Sequence, residues 1–339
     1  MEPIKIGQIG ICHEHASAKM DALRKLPELF EIVGVVDDRA TTAARFAGDN
    51  VEPYKGLPWL TEEALFAVPG LQAVVVETPN TDLVSTARRC VARGFPIHMD
   101  KPGGEDPKAF ADLLAECDQG QVPLQMGYMF RNNPAMQFCR EAVQKGWLGE
   151  VMEIHGDMSH DYGGEAYQDY LAKFSGGILF NLGCHLIDLV TSIMGRPESV
   201  VPVLRSVSGT PADAMNNGLA VLAYPHALVT IRACSRVAGG LDRRRFLLSG
   251  TGGSIEFSPM ERFDGLPLEA RLTLREANES YAAGTHTLEF PARDDRYVDQ
   301  LIEFAQIVRG EKINPYTTKH DRMVQDIVLA ASGYTPWKI

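Results

Sequence analysis

Short apolar runs alternate with helix-type stretches through the first third of the chain, and that alternation limits the fold more than any other feature. Ile4–Ile9, Glu31–Asp37, Ala73–Glu77 and Pro96–Met99 read as strands, with Ala16–Leu26 and Thr81–Arg93 as helices between them. In "IVGVV" and "AVVVE" the apolar side chains do not alternate with polar ones, so both faces of each strand must be covered. Strands of that kind, joined by right-handed helical crossovers, make a doubly wound parallel sheet of the α/β class. Such a sheet collects its ligands at the carboxyl ends of its strands. The residues at those ends are the first candidates for function.

After the first strand comes "GQIGICHEHA". A dinucleotide-binding loop reads G-x-G-x-x-G, its glycines letting pyrophosphate meet bare backbone at a helix N-terminus. Counted from Gly10, Cys12 takes the place of the second glycine and His15 of the third. Gly10, Ile11, Cys12, His13 and His15 are still the expected cofactor loop, with His13 or His15 either donating to the phosphates or simply packed on the loop. At the end of the second strand, Asp37 and Asp38 stand near the place, about 20 residues onward, where a carboxylate accepts from the ribose hydroxyls. Capping a turn is their other reading. Their charge disfavours a 2′-phosphate and so favours NAD over NADP, with Arg39 beside them pulling the other way. The third strand runs into the polar turn Thr78, Pro79 and Asn80, and the fourth into "DKPGG". There Pro102 biases Lys101 toward extended backbone, while Gly103 and Gly104 keep the wall beside it thin. Lys101 is either a solvated surface charge or an ammonium projecting into the crevice, and its place at a strand's end favours the crevice.

Near residue 125 the pattern changes, which predicts domains over 1–125 and 126–339. Asn133 as N-cap, Pro134 at the first helical position and Gly146 as stop bound a helix. From "GEVMEIHGDM" onward, half-buried strands linked by hairpin signals predict a mostly antiparallel sheet. "GTGGS" lies between two such strands and opens no helix, so it reads as a turn. "RYVDQLIEFAQIVRG" and "TTKHDRMVQDIVLAASG" read as amphipathic helices. The segment that raises a chemical question is "SGGILFNLGCHLID". At about 100° per residue, Asn181, His185 and Asp188 fall within an arc of about 60°. Leu182, Leu186, Leu189, Val190 and Ile193 cluster on another face, as in a helix with one packed side and one side on a cleft. Gly176 and Gly177 would leave room for a ligand at the helix entrance. The alternative is an interior His185 with Asn181 and Asp188 as its hydrogen-bond partners.

The chain has 339 residues, 45% of them hydrophobic and 23% charged, which suits a soluble protein of two domains. A net charge of −11 without any basic run argues against nucleic acid and anionic membrane as partners. Six scattered cysteines lack CxxC pairing, as expected of reduced thiols. The nine histidines include His13 and His15 but no HExxH, so no metal is expected. The opening "PIKIGQIGI" reads as a strand rather than a signal peptide, and no apolar run approaches the ~20 residues that span a bilayer. The expected location is the cytoplasm.

Together the doubly wound first domain, "DKP" at Asp100-Lys101-Pro102, "GYMFRNNPA" at the junction and "GGILFNLGCHLID" resemble the Gfo/Idh/MocA oxidoreductase family over nearly the whole chain. That family carries an E-K-P triplet and a G-G-x-x-x-D-x-x-x-H-x-x-D helix, matched here by Gly177, Asn181, His185 and Asp188. The resemblance implies a Rossmann-type domain followed by a large, mostly antiparallel sheet whose open face makes a homodimer or homotetramer. It also implies oxidation of a secondary alcohol of a sugar, cyclitol or related polyol with NAD or NADP. Within that chemistry His185 is the expected base, Lys101 the stabiliser of the developing alkoxide, Asp188 a support for the helix, and Asn181 a substrate hydrogen-bonding group. Asp100 would sit near the nicotinamide. Tyr128, Arg131, His160 and Tyr162 are expected either to contact substrate or to pack. Relatives also suggest a lyase or glycosidase acting by transient oxidation and, given the altered glycine loop, a non-catalytic sugar- or nucleotide-sensing protein.

Overall fold

The four apolar runs of the first third are strands, and two very short strands join them. The computed structural model describes all residues except 1, 14, 39–50, 163, 211–212, 263, 294 and 339. In order come β1 (Ile4–Ile9), α1 (Ala16–Arg24), β2 (Phe30–Val36), β3 (Trp59–Leu60), α2 (Glu62–Phe66), β4 (Ala73–Val76), α3 (Asn80–Val91), β5 (Ile97–Met99), α4 (Pro107–Gly120) and β6 (Leu124–Met126). Among the described residues they form a six-stranded parallel sheet in the order β3-β2-β1-β4-β5-β6. All four residues of β4 are buried, which is why its sequence is uninterrupted valine and alanine. Strand order reverses between β1 and β4, and the crevice at such a switch point is where doubly wound sheets bind ligands. Ile6, Phe30, Val75, Met20 and Leu23 make the core on one side, together with Leu301 and Phe304 from far along the chain.

The second half opens with α5 (Pro134–Gln144), whose Asn133 cap accepts from the Ala135 and Met136 amides. It continues through β7 (Val151–Asp157), α6 (Gly164–Leu171), α7 (Cys184–Met194), β8 (Ser199–Arg205), β9 (Asn217–Ala223), β10 (Leu228–Cys234), β11 (Arg245–Gly250), β12 (Gly253–Phe257), β13 (Leu268–Leu274) and β14 (Gly284–Phe290). The eight strands run in the order β14-β13-β12-β11-β7-β10-β9-β8 among the described residues. Every neighbouring pair is antiparallel except β7 with β10. Alternate residues of β9 are buried, so one face of the sheet packs while the other is open. Pro202 sits in the edge strand β8, where its missing N–H costs no ladder bond. The "GTGGS" stretch is the β11–β12 hairpin turn, as expected.

Two helices close the chain, α8 (Val298–Val308) and α9 (Thr318–Ala331). They are divided between two compact units. One unit comprises Met1–Met129 with Asp295–Gln325, the other Phe130–Asp294 with Asp326–Ile339. The chain thus returns to the first unit, because Leu301, Phe304 and Ala305 of α8 complete the core beside β1 and β2. No described helix is long and apolar enough to cross a membrane.

Candidate functional site

In the first unit, the loop after β1 is fixed by its neighbours on both sides. Gly10 has φ +97°, and a Cβ there would lie 2.5 Å from the Thr78 amide nitrogen at the end of β4. Only glycine fits. The Asp38 carboxylate accepts from the amides of Ile11 at 2.8 Å and Cys12 at 3.1 Å. Asp38 therefore braces the loop, while Asp37 stands half-buried beside it. Arg39 lies outside the described residues.

His13 and His15 converge on one oxygen at the end of β5. Their Nδ1 atoms lie 2.7 and 3.1 Å from Asp100 Oδ2. Burial works against the charge of Asp100, but the two imidazoles hold its pKa well below the usual carboxylate range. Lys101 follows, almost wholly buried, with a cis bond to Pro102. Gly103 donates its amide to Gln325 Oε1 at 2.8 Å, and Gln325 Nε2 donates to the Gly104 carbonyl at 2.6 Å, which ties this turn to α9.

Two charged residues that the sequence reading passed over complete this end of the sheet. Glu77 is fully buried, and burial, with the Asp100 carboxylate second, pushes its pKa up to about 8. Lys19 on α1 is fully buried as well, which lowers its pKa. Its Nζ lies 2.8 Å from His98 Nε2 and 4.3 Å above the Tyr297 ring. Burial, then Lys19, pushes His98 down to about 3, so the neutral imidazole accepts from Lys19 and donates through Nδ1 to Gln125 Oε1 at 2.8 Å. The signal for Glu77 was a lone acid closing an otherwise apolar strand, and for Lys19 a lysine on the packed face of α1.

In the second unit, the segment expected to be a uniform helix is not one. Leu179–Gly183 is a π-helical turn that leads into α7. A wider turn changes the angle between Asn181 and His185 from the one expected, and such turns recur at functional sites. Gly177 is also not a ligand's doorway. At φ +49° it lies against the carbonyl of Met215, which accepts from the Ile178 amide at 2.8 Å, so a side chain would collide with that strand connection. Below, Leu186 packs over Gly156 of β7.

The polar side of this segment is buried and specifically braced. Arg131 donates through Nε to both Asp188 oxygens at 3.1 Å and through Nη2 to Oδ1 at 2.6 Å. Arg131 is thus committed to Asp188, with its own carbonyl accepting from Gln137 and Arg140. His185, 3% exposed, meets the Phe130 ring edge-on at 6.0 Å between centroids. Asn181 donates through Nδ2 to Tyr167 Oη at 2.9 Å. Tyr167, from the unanticipated α6, belongs to a ring cluster in which His160 stacks on Tyr162 at 3.6 Å. Tyr128 belongs to the first unit and so is not grouped with these residues.

Residues 4–128 match the family described as "Oxidoreductase family, NAD-binding Rossmann fold", and residues 136–256 match "GFO/IDH/MocA C-terminal domain". The chain belongs to the GFO/IDH/MocA family. It is 25% identical to an inositol 2-dehydrogenase of Rhizobium meliloti over 280 residues, 76% of this chain and 80% of that one. It is 24% identical over 206 residues to a D-xylose 1-dehydrogenase (NADP(+)) of Haloferax volcanii, 60% of this chain and 61% of that one. Its fold matches KijD10, a 3-ketoreductase from Actinomadura kijaniata solved with NADP and TDP-benzene. The TM-score is 0.77 at 20% identity, covering 97% of this chain and 96% of the other.

As a GFO/IDH/MocA oxidoreductase with an NAD-binding Rossmann domain, the protein is a dehydrogenase that uses a nicotinamide cofactor. Its first unit fits that group. Thr78 Oγ1 and both amide atoms of Asn80 are buried at the carboxyl end of β4, and no described residue hydrogen-bonds them. Buried polar atoms of that kind are costly unless a ligand or water answers them.

Proposed function

We propose that the chain oxidises a secondary alcohol of a sugar, cyclitol or related polyol to a ketone, with NAD as its preferred cofactor. The observation that carries this reading is the buried Asn181–His185–Asp188 set, braced by Arg131, in a chain whose other unit is a nicotinamide-binding domain. Inositol and xylose dehydrogenases among the relatives support the polyol class.

A bound nicotinamide would supply the hydride acceptor for oxidation of the carbinol carbon. His185 takes the hydroxyl proton, a task that suits an imidazole because it titrates near neutrality without drastic tuning. Lys101 stabilises the oxygen as negative charge grows on it. Asp188 acts as a positioning residue: its bidentate pair with Arg131 fixes the turn of α7 that carries His185. Asn181, neutral, hydrogen-bonds a second substrate hydroxyl and takes no part in proton transfer. The Tyr162 ring, exposed and stacked on the buried His160, offers a flat face to the C–H side of a sugar ring. Thr78, Pro79, Asn80 and Asp100 would hold the cofactor, together with Gly10, Ile11, Cys12, His13 and His15. Asp37 accepts from the ribose hydroxyls and repels a 2′-phosphate.

The test is to incubate the enzyme with sugars, cyclitols and their acids and follow reduced nicotinamide, with glycoside cleavage assayed in parallel. Accumulation of reduced cofactor and ketone supports the reading. Cleavage of a glycoside without net cofactor reduction would replace it by a transient-oxidation mechanism.

A further inference from the structure

The loop that lacks two of its glycines has gained two histidines, and both turn toward the same carboxylate. We propose that His13, His15 and Asp100 form a binding site for one divalent first-row transition-metal ion. The sequence reading expected no metal because these donors come from two places, the turn after β1 and the end of β5.

Three observations support the site. First, the donors converge: His13 Nδ1 and His15 Nδ1 lie 2.7 and 3.1 Å from Asp100 Oδ2, and one donor atom from each of the three residues falls within a 4.8 Å span. Ligands about 2.0–2.2 Å from a metal ion lie about 3 Å apart, so small outward shifts of the imidazoles seat an ion between them. Second, the frame is rigid. Asp38 pins the Ile11 and Cys12 amides, and Asp100 lies under Gly127, where a Cβ would come within 3.1 Å of its Oδ1. Third, an unanswered acid closes the neighbouring strand β4: the Glu77 carboxyl is fully buried, and no described residue hydrogen-bonds either of its oxygens.

The donor set selects the ion. Two imidazoles and a carboxylate suit zinc, iron, cobalt or manganese, whereas calcium and magnesium prefer oxygen alone. Three protein ligands leave positions open, and His15 is 22% exposed, so the ion faces outward. With the Ile11 and Cys12 amides occupied by Asp38, a cation here supplies the positive charge that a glycine-rich loop presents through its backbone.

The experiment uses the full chain without a histidine tag, stripped with chelator, dialysed, and titrated with Zn²⁺ or Co²⁺ in the absence of cofactor and substrate. One ion per chain is expected, with a cobalt spectrum of mixed nitrogen and oxygen ligation. His15→Gln and Asp100→Asn should each weaken binding at least tenfold, and His226→Ala on the surface should not. Absence of stoichiometric binding in the wild type, or undiminished binding in His15→Gln, would overturn the proposal. Because no turnover is measured, the result stands apart from the dehydrogenase reading.

Discussion

The loop after β1 and the segment leading into α7 both depart from the pattern their motifs predict, but in opposite ways. In the loop the residue types differ from the motif: Cys12 and His15 stand where it has glycines, while Gly10 turns at φ +97° against the end of β4. In the segment before α7 the residue types largely match and the backbone changed, since a π turn separates Asn181 from His185. A motif is thus two separable things, a set of donors and a path for the chain. The loop differs from its motif in its donors; the segment before α7 differs from a uniform helix in its path, with Ile178 bonded to Met215 on one side of it and Asp188 to Arg131 on the other.

The largest effect that could break this contrast comes from the brace of the second unit. Arg131→Ala leaves Asp188 ionised and buried without its guanidinium, which should cost about 3–5 kcal/mol of stability. Urea unfolding would register it, and a loss under ~1 kcal/mol would mean that the pair does not hold the turn. Next comes the pH response of the first unit. Glu77 has a folded pKa near 8 against an ordinary 4.5, so the folded state binds the proton more tightly. Its contribution is complete below about pH 4.5 and is lost as pH rises through about 8, by up to a few kcal/mol in total. Thermal melts of chelator-treated protein from pH 5 to 9 should show that decline, and Glu77→Gln should flatten it; parallel slopes would contradict the assignment. The smallest expected effect concerns cofactor choice. Asp37→Ser should weaken NAD about tenfold, near 1.4 kcal/mol, and leave NADP unchanged or tighter. Fluorescence titration with both cofactors checks it, and a larger loss for NADP would reverse the preference.

Sequence made the parallel sheet legible because β4 and its neighbours are apolar without interruption, and it made β9, β10 and the hairpins legible because their burial alternates. It passed over β3 and β6, two and three residues long, because so short a run has no period to read. The π turn escaped for a different reason. An extra residue in a helical turn leaves no mark on residue types, and what sets it here is tertiary packing of Gly177 and Ile178 on Met215. The same holds for α8: its amphipathic pattern was plain, but which core receives Leu301 and Phe304 depends on the rest of the fold. Lys101, His185, Asn181 and Asp188 stood out as candidates from their motifs. Lys19, Glu77 and Tyr167 did not, because each matters through partners distant in the chain.

Lys101 and His185 are proposed to act together on the substrate hydroxyl. A double-mutant cycle measures this most directly, with kcat/KM determined for the wild type, Lys101→Ala, His185→Ala and the double variant on one polyol. The account predicts that each single change costs about 10²–10⁴-fold and that the double change costs far less than their product. Losses that simply multiply would mean that the two residues act independently, and would contradict it.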